Sequence, residues 1–309
     1  MQTISISIIN YPGAMASAVA GVSDLFTLAN RFSAEQRYNV MSIAPEDKLI
    51  GHPTRIVYVP PTLIEAPPDP AAFGMPDVLH RHHSDGAIVI ANCASVIWLA
   101  ESGLLNGKVA TTHWKLFEYV TERYPDIDVI DRRSMVVDQG RVVTAAGLYA
   151  FQDLVLYMIA KFSSFGVAKS VADFALLDIQ NRVQSYYQRF IPNFSHADNT
   201  VLTAQKLCEQ LRPSELSVSV LAAKAHTTER TLNRRFKETL GMTPGFYIQQ
   251  VQIEASKRAL DLKLSSIEQV AAEVGYQDVS NFNRAFKRIC GITPSKYRDR
   301  VSTHLADKA

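Results

Sequence analysis

Two domains of different class are predicted: an α/β domain with a doubly wound sheet over residues 1–185, and an all-α domain with two tandem helix-turn-helix units over residues 201–303. Three observations predict them. Residues 1–180 alternate short apolar runs with helix-period patterns, as expected of a parallel sheet covered by helices on both faces. From about residue 200 onward the pattern is helical throughout. Within that second part, one stretch repeats another at an offset of about fifty residues. Leu232-Asn233-Arg234-Arg235-Phe236-Lys237, then Gly241-Met242-Thr243-Pro244 and Tyr247, is answered by Phe282-Asn283-Arg284-Ala285-Phe286-Lys287, then Gly291-Ile292-Thr293-Pro294 and Tyr297.

In the first domain, strands are expected at 4–9, 38–43, 55–60, 86–91, 108–111 and 141–144. The first carries Ile4-Ser5-Ile6-Ser7-Ile8, a period-two alternation. Helices are expected near 17–30, 94–102, 113–123, 147–162 and 166–177. Residues 61–70 hold Pro61, Pro67, Pro68 and Pro70 and read as a surface loop. The polar stretch with Pro192, Asn193, Ser195, His196, Asp198 and Asn199 reads as the end of the domain, and a linker is placed at 186–200.

In the second domain, the helix-turn-helix units are expected at 217–240 and 266–289. Ser217 and Ser219 are candidate caps before Val220, Leu221 and Ala225. A turn at His226-Thr227 precedes a second helix from about 228, capped by Thr227 or Thr228 and ended by Gly241. Leu232 and Phe236 lie four apart and share the buried face, leaving Arg230, Asn233, Arg234 and Lys237 to point outward. In the second unit, Ser266 caps a helix, Gly275 supplies the turn, and Asp278 starts a helix. That helix buries Phe282 and Phe286 and exposes Ser280, Asn281, Asn283 and Arg284. Arg offers a fork to guanine, Asn a matched donor and acceptor to adenine. Lys, Ser and Thr hold phosphates. Double-stranded DNA, read through its major groove, is the expected partner.

The charge supports that reading. Residues 1–194 carry 15 Lys+Arg against 18 Asp+Glu, a net −3, while residues 195–309 carry 17 against 12, a net +5. The basic excess lies with the repeat, where a polyanion would bind. Cys93, Cys208 and Cys290 are odd in number and widely spaced, so neither a disulfide framework nor a zinc pattern can be drawn. A cytoplasmic protein without cofactor or metal is expected. No basic leader opens the chain, and the apolar stretch 86–105 is interrupted by Asn92, Glu101 and Gly103, which reads as strand then helix instead of a membrane span.

Residues from about 200 to 300 resemble the AraC/XylS family of transcription regulators. The likeness is carried by Ile267-x-x-Val270-Ala271-x-x-Val274-Gly275-Tyr276-x-Asp278-x-Ser280-x-Phe282-x-Arg284-x-Phe286-Lys287-Arg288 and by Gly291-Ile292-Thr293-Pro294-Ser295-x-Tyr297-Arg298. The resemblance implies a central helix at about 244–262 joining the two units. It places Arg230, Asn233 and Arg234 in one major groove and Val279, Ser280, Asn283 and Arg284 in the next, with Thr228, Lys237 and Lys287 completing the DNA-binding set. Gln252 stands where the family usually has Arg, which would alter a phosphate or internal contact.

Cys93 follows the apolar strand Ala87-Ile88-Val89-Ile90-Ala91 and precedes a helical run, the arrangement of a nucleophile elbow at a helix amino terminus. Cys93-x-x-x-x-x-Leu99-Ala100-Glu101-x-Gly103-Leu104-Leu105-x-Gly107, Ala110-Thr111-Thr112-His113-Trp114, Ala146-Gly147-Leu148-Tyr149 and Asp153-Leu154 resemble the PfpI-like, class I glutamine amidotransferase-like domain. Here the resemblance implies a flavodoxin-like fold. Enzyme members place His directly after the elbow Cys, Gly two after it, and an acidic residue on the loop after the first strand. This chain has Ala94, Ser95 and an acid-free Tyr11-Pro12-Gly13-Ala14-Met15-Ala16. A catalytically inactive domain is therefore expected, with a Cys-dependent amidase fused to a DNA-binding module as the alternative. Cys93 is left three roles: pocket wall, redox-sensitive thiol or buried small residue.

The crevice at the carboxyl ends of the strands is the expected small-molecule site, lined by Gly13, Cys93, Thr112, His113 and Tyr149. His80, His82 and His83 read as a helix end near Asp85 instead of metal ligands. The function expected is a DNA-binding transcription regulator controlled by a small-molecule effector, a homodimer by the usual symmetry, with RNA polymerase as a further candidate partner.

Overall fold

A computed structural model of the chain describes residues 2–47, 54–63, 68–179, 182–262 and 265–301, so positions 64–67 of the expected proline-rich loop lie outside the described residues. The chain divides into two compact units, Met1–Gln184 and Ser185–Ala309.

The first unit runs β1 (Gln2–Ile9), α1 (Ala16–Ala29), β2 (Gln36–Ile43), β3 (Ile56–Val59), α2 (Met75–Ser84), β4 (Ile88–Asn92), α3 (Val96–Glu101) and β5 (Val109–Ala110). It continues through α4 (Phe117–Arg123), β6 (Val129–Ile130), β7 (Val136–Asp138), β8 (Val142–Ala145), α5 (Phe151–Phe162) and α6 (Phe165–Ala175). Six strands pair in the order β2-β1-β3-β4-β8-β7. Strand alternation sorts the core into two layers. Ile6, Ile8, Ile56, Tyr58, Ile88 and Ile90 face α1, α5 and α6, while Val57, Val59, Val89 and Ala91 face α2, α3 and α4. Both faces of the sheet are thus covered by helices, the doubly wound arrangement.

Two features differ from the all-parallel expectation. β7 runs antiparallel to β8, because a tight turn folds it back. There Asp138 Oδ1 accepts from Gly140 N at 2.7 Å, Gly140 takes φ +80°, and Gln139 N donates to Val142 O. The expected strand at 108–111 pairs only with β6, in a separate two-stranded sheet. Among the described residues no helix is long and apolar enough to cross a membrane; the apolar run at 86–105 is β4 followed by α3.

The second unit is helical: α7 (Asn199–Gln210), α8 (Val218–Lys224), α9 (Glu229–Leu240), α10 (Pro244–Leu262), α11 (Ile267–Glu273), α12 (Val279–Cys290) and α13 (Pro294–Val301). It holds two cores, not one. Leu221, Leu232, Phe236, Tyr247 and Ile248 form the first with α7. Ile253, Leu260, Val270, Phe282, Phe286 and Tyr297 form the second. α10 contributes Tyr247 and Ile248 to one and Ile253 and Leu260 to the other. Residues 186–200, where the sequence predicts a linker, lie against this unit: Tyr186 packs on the second core and Phe190 on the first. Their aromatic rings supply the apolar surface that a free linker lacks.

The two helix-turn-helix units turn through the same left-handed region with different residues. His226 and Gly275 occupy the left-handed position in each, at φ +50° and +96°. At Gly275 a Cβ would meet Ser214 Cα at 2.8 Å, with Gln252 Nε2 and Pro213 O close behind. Gln252 Nε2 donates to Pro213 O at 3.1 Å. The residue that departs from the family pattern thus ties α10 to the segment before α8, and the second turn packs on that segment too closely for any side chain.

Gly275→Ala therefore meets backbone as well as left-handed strain and should lose about 1–3 kcal/mol in urea denaturation followed by circular dichroism. Gly140→Ala, left-handed but with open space beside it, should lose about 1–2 kcal/mol, less than Gly275→Ala. Equal losses at both sites would refute the close-approach argument.

Candidate functional site

α9 and α12, the second helix of each helix-turn-helix unit, both present a polar face. Each is set by the same devices. Thr228 caps α9 by accepting from Thr231 N at 3.2 Å, and Asp278 caps α12 by accepting from Ser280 N at 2.9 Å. Gly241 and Gly291 close them in the left-handed conformation. Leu232 and Phe236 in one, and Phe282 and Phe286 in the other, are fully buried. That orientation leaves Thr228, Arg230, Arg234, Lys237, Ser280, Arg284 and Lys287 exposed, with Asn233, Val279 and Asn283 half-buried.

Several of these groups are held by exposed local partners. Arg234 pairs with Glu238 at 2.8 Å one turn on. Asn233 Nδ2 donates to Glu229 O at 2.9 Å, and Arg284 donates to Asn281 Oδ1. Such exposed pairs contribute well under about 1 kcal/mol each. A phosphate or base edge can replace them at small cost.

The elbow of the first unit has the geometry but not the chemistry of an activated thiol. Cys93 has φ +58°, the strained conformation of a nucleophile elbow. A hydrogen-bond network holds it there. Thr112 Oγ1 donates to Cys93 O at 2.7 Å. Ser95 Oγ donates to Asn92 O at 2.7 Å and to Val59 O at 3.0 Å. Asn92 accepts from Tyr58 OH at 2.8 Å and donates to Gly147 O and Leu148 O. Asn92, Ser95 and Thr112 are fully buried.

Position at a helix start would favour the thiolate; burial opposes it and wins. The Cys93 thiol is pushed up to about 11 by desolvation, with the Ala94 N–H pulling weakly the other way. Tyr11, whose OH donates to Pro60 O, is pushed up by burial and by the neighbouring Cys93. Its ring meets Trp98 edge-on at 4.9 Å. Tyr11, Tyr58, Asn92 and Ser95 surround the elbow, although motif reading gave none of them a place in the expected site. The one available signal was Asn92 at the end of an otherwise apolar strand.

Of the five residues expected around a ligand, Thr112 binds the Cys93 carbonyl, and His113 lies beside Gly147, where a Cβ would come within 3.8 Å of its ring. His113 Nδ1 accepts from Lys115 N at 3.2 Å and stacks on Trp114 at 5.3 Å; burial, then Lys115, holds it below the usual histidine range. Tyr149 is exposed beside Phe151, and Gly13 lies on an exposed turn at φ +91°. A cavity of about 560 Å³ lies elsewhere, at the amino ends of the strands, lined by Gln2 to Ser5, Gln36, Arg55, Asp85 and Lys161. His82 and His83 occupy the last turn of α2, for which Asp85 is the C-cap. No cluster that could hold a metal ion occurs among the described residues.

A thiol with a pKa of about 11 is roughly one part in a thousand thiolate at pH 8. Alkylation of Cys93 by iodoacetamide, read by peptide mass spectrometry, should be far slower than that of a free thiol and should accelerate up to about pH 11. Rapid labelling at neutral pH would contradict the buried, unactivated thiol.

Comparison with known proteins assigns both units. A helix-turn-helix domain model matches residues 221–300, and a DJ-1/PfpI family model matches residues 72–161. The chain is 26% identical over 217 residues to the HTH-type transcriptional regulator ArgR of Pseudomonas aeruginosa, a match covering 70% of this chain and 65% of that protein. It is 28% identical over 202 residues to CdhR of the same organism, covering 65% of this chain and 59% of CdhR. It is 26% identical over 205 residues to GlxA of Rhizobium meliloti, covering 65% and 62%. The matches thus span less than two thirds of the length of these relatives. The chain joins a DJ-1/PfpI-family domain to an AraC-type helix-turn-helix domain.

Proposed function

We propose that this protein is a sequence-specific transcription regulator whose second unit reads two successive major-groove segments of DNA. The observation that carries this is the duplicated recognition surface. α9 and α12 are capped, closed and buried alike, each presents Arg and Asn outward, and both are anchored on α10. The three relatives are named as transcriptional regulators. A merely solvated polar face does not call for two matched copies with matched turns and exits.

The first unit is proposed as a non-catalytic sensor that binds a small-molecule effector. Support comes from Ala94 in the position of the base, from the burial that raises the Cys93 thiol, and from His113 Nδ1 already accepting from Lys115. An effector acts only through different affinities for DNA-competent and incompetent states; a coupling of about 1–3 kcal/mol changes occupancy roughly 5–150-fold. A homodimer is proposed from the symmetry usual in such regulators, supported by exposed apolar residues Phe165, Phe174 and Leu176 on and just after α6.

The test is fluorescence anisotropy on DNA upstream of the protein's own gene against shuffled DNA of equal length, where a preference of about 10³-fold or more is expected. Arg234→Ala and Arg284→Ala should each cost about 1–3 kcal/mol and relax discrimination at one base pair. Uniform weakening on every sequence would reduce that arginine to a phosphate contact. Affinity should fall with salt by about 0.9 log unit per log unit for each phosphate neutralised; a flat response would remove DNA as the main partner.

A further inference from the structure

The segment that enters the second unit touches both of its cores within five residues. Tyr186 packs on the second core, its ring 4.9 Å from that of Tyr297, with the Arg300 guanidinium 5.2 Å above it. Phe190 packs on the first core, edge-on to Tyr247 at 5.0 Å. Between them, Gln188 O accepts from Lys257 Nζ at 2.7 Å. Lys257 lies in the second half of α10, between Ile253 and Leu260, is nearly fully buried, and pairs with Glu254 at 2.6 Å. A buried ammonium needs every partner it has, so the Gln188 carbonyl is part of what holds it.

The segment continues tied down. Gln205, fully buried on α7, donates to Asn193 O and pairs with His196 Nε2. Asp198 caps α7 and also pairs with Arg235 of α9 at 3.1 Å. At its other end, Gln184 N donates to Arg133 O and its side chain to Thr111 Oγ1, both in the first unit.

We infer that residues 186–190 are a brace that fixes the separation of the two recognition helices, making Tyr186 and Phe190 positioning residues for half-site spacing. The physical case is simple. A lone helix of 19 residues bends, and α10 is the element common to both cores. A second connection, anchored on each core and bonded to Lys257 in the second half of α10, restrains that bending. The inference rests on the DNA-binding reading above.

The test uses the full chain and duplexes selected by the wild-type protein from a randomised pool. Inserting two base pairs between the half-sites rotates one by roughly 70° about the duplex axis. The wild type should lose at least roughly tenfold in affinity on that insertion. The Tyr186→Ala/Phe190→Ala pair should lose no more than about threefold, while binding a single half-site like the wild type. Ile191→Ala, which removes a neighbouring exposed apolar side chain, should keep the wild-type penalty. If the alanine pair fails to fold by circular dichroism, the Tyr186→Leu/Phe190→Leu pair, which keeps apolar bulk but loses the ring contacts, is read in its place. An undiminished spacing penalty in the folded variant overturns the brace. So does an equal loss on single half-sites, which marks a merely structural role. A wild type without selective DNA binding overturns both this inference and the function on which it rests.

Discussion

The second unit depends on one helix serving two cores. α10 is 19 residues long, about 28 Å at 1.5 Å per residue. Its first half closes one small core and its second half the other. Neither core is large enough to be indifferent to that helix: each sets a phenylalanine of its recognition helix against a tyrosine of the helix that follows. Phe236 meets Tyr247 at 5.6 Å, and Phe286 meets Tyr297 at 5.4 Å, both edge-on. The exposed faces of α9 and α12 are therefore determined by burial on their opposite sides. Further ties secure the arrangement: the Gln252–Pro213 hydrogen bond, the close approach of Gly275 to Ser214, and the segment 186–190.

The first unit shows the same scaffold logic with different chemistry. A positive φ at a non-glycine residue costs about 1–3 kcal/mol and persists only where surroundings enforce it. Around Cys93 the enforcement comes from Asn92, Ser95 and Thr112, all buried and all hydrogen-bonded to backbone. The elbow is thus a structural corner held by its own hydrogen bonds. Packing Tyr11, Tyr58 and Trp98 around it removes water, and the loss of solvation outweighs the favourable backbone N–H. In this chain the corner keeps its strained shape while burial disfavours the Cys93 thiolate. Thr111 and Thr112 face two tasks side by side: one anchors the Gln184 side chain, the other the elbow carbonyl.

Much of this was legible in the sequence because the signals were local. Caps at Ser217, Thr228, Ser266 and Asp278 lie next to the helices they start. The i, i+4 spacing of Leu232/Phe236 and Phe282/Phe286 gives the buried face directly. The apolar strands β1, β3 and β4 and the elbow after β4 follow from period and position. What was not legible depends on partners far away in the chain. The antiparallel pairing of β7 needs β8, and the isolated β5–β6 pair lies off the main sheet. Gln252 looked like a defect until Pro213 was beside it. Residues 186–190 read as linker because polar Gln188 and Arg189 dilute Tyr186 and Phe190, whose ring partners Tyr297 and Tyr247 lie more than fifty residues further on. The cavity at the amino ends of the strands carries no local pattern, and burial of Cys93 against a neighbouring loop cannot be read from the residues beside it.

The central claim is that one rigid helical unit reads two adjacent grooves from one side of the duplex. Guanine methylation interference on selected DNA tests it most directly, because N7 modification blocks major-groove contact base by base. Two clusters of interfering guanines, separated by one helical turn of about 10–10.5 base pairs, are expected for each bound copy of the chain. A single cluster per copy, or protection that tracks phosphates without interference at any guanine, would contradict it.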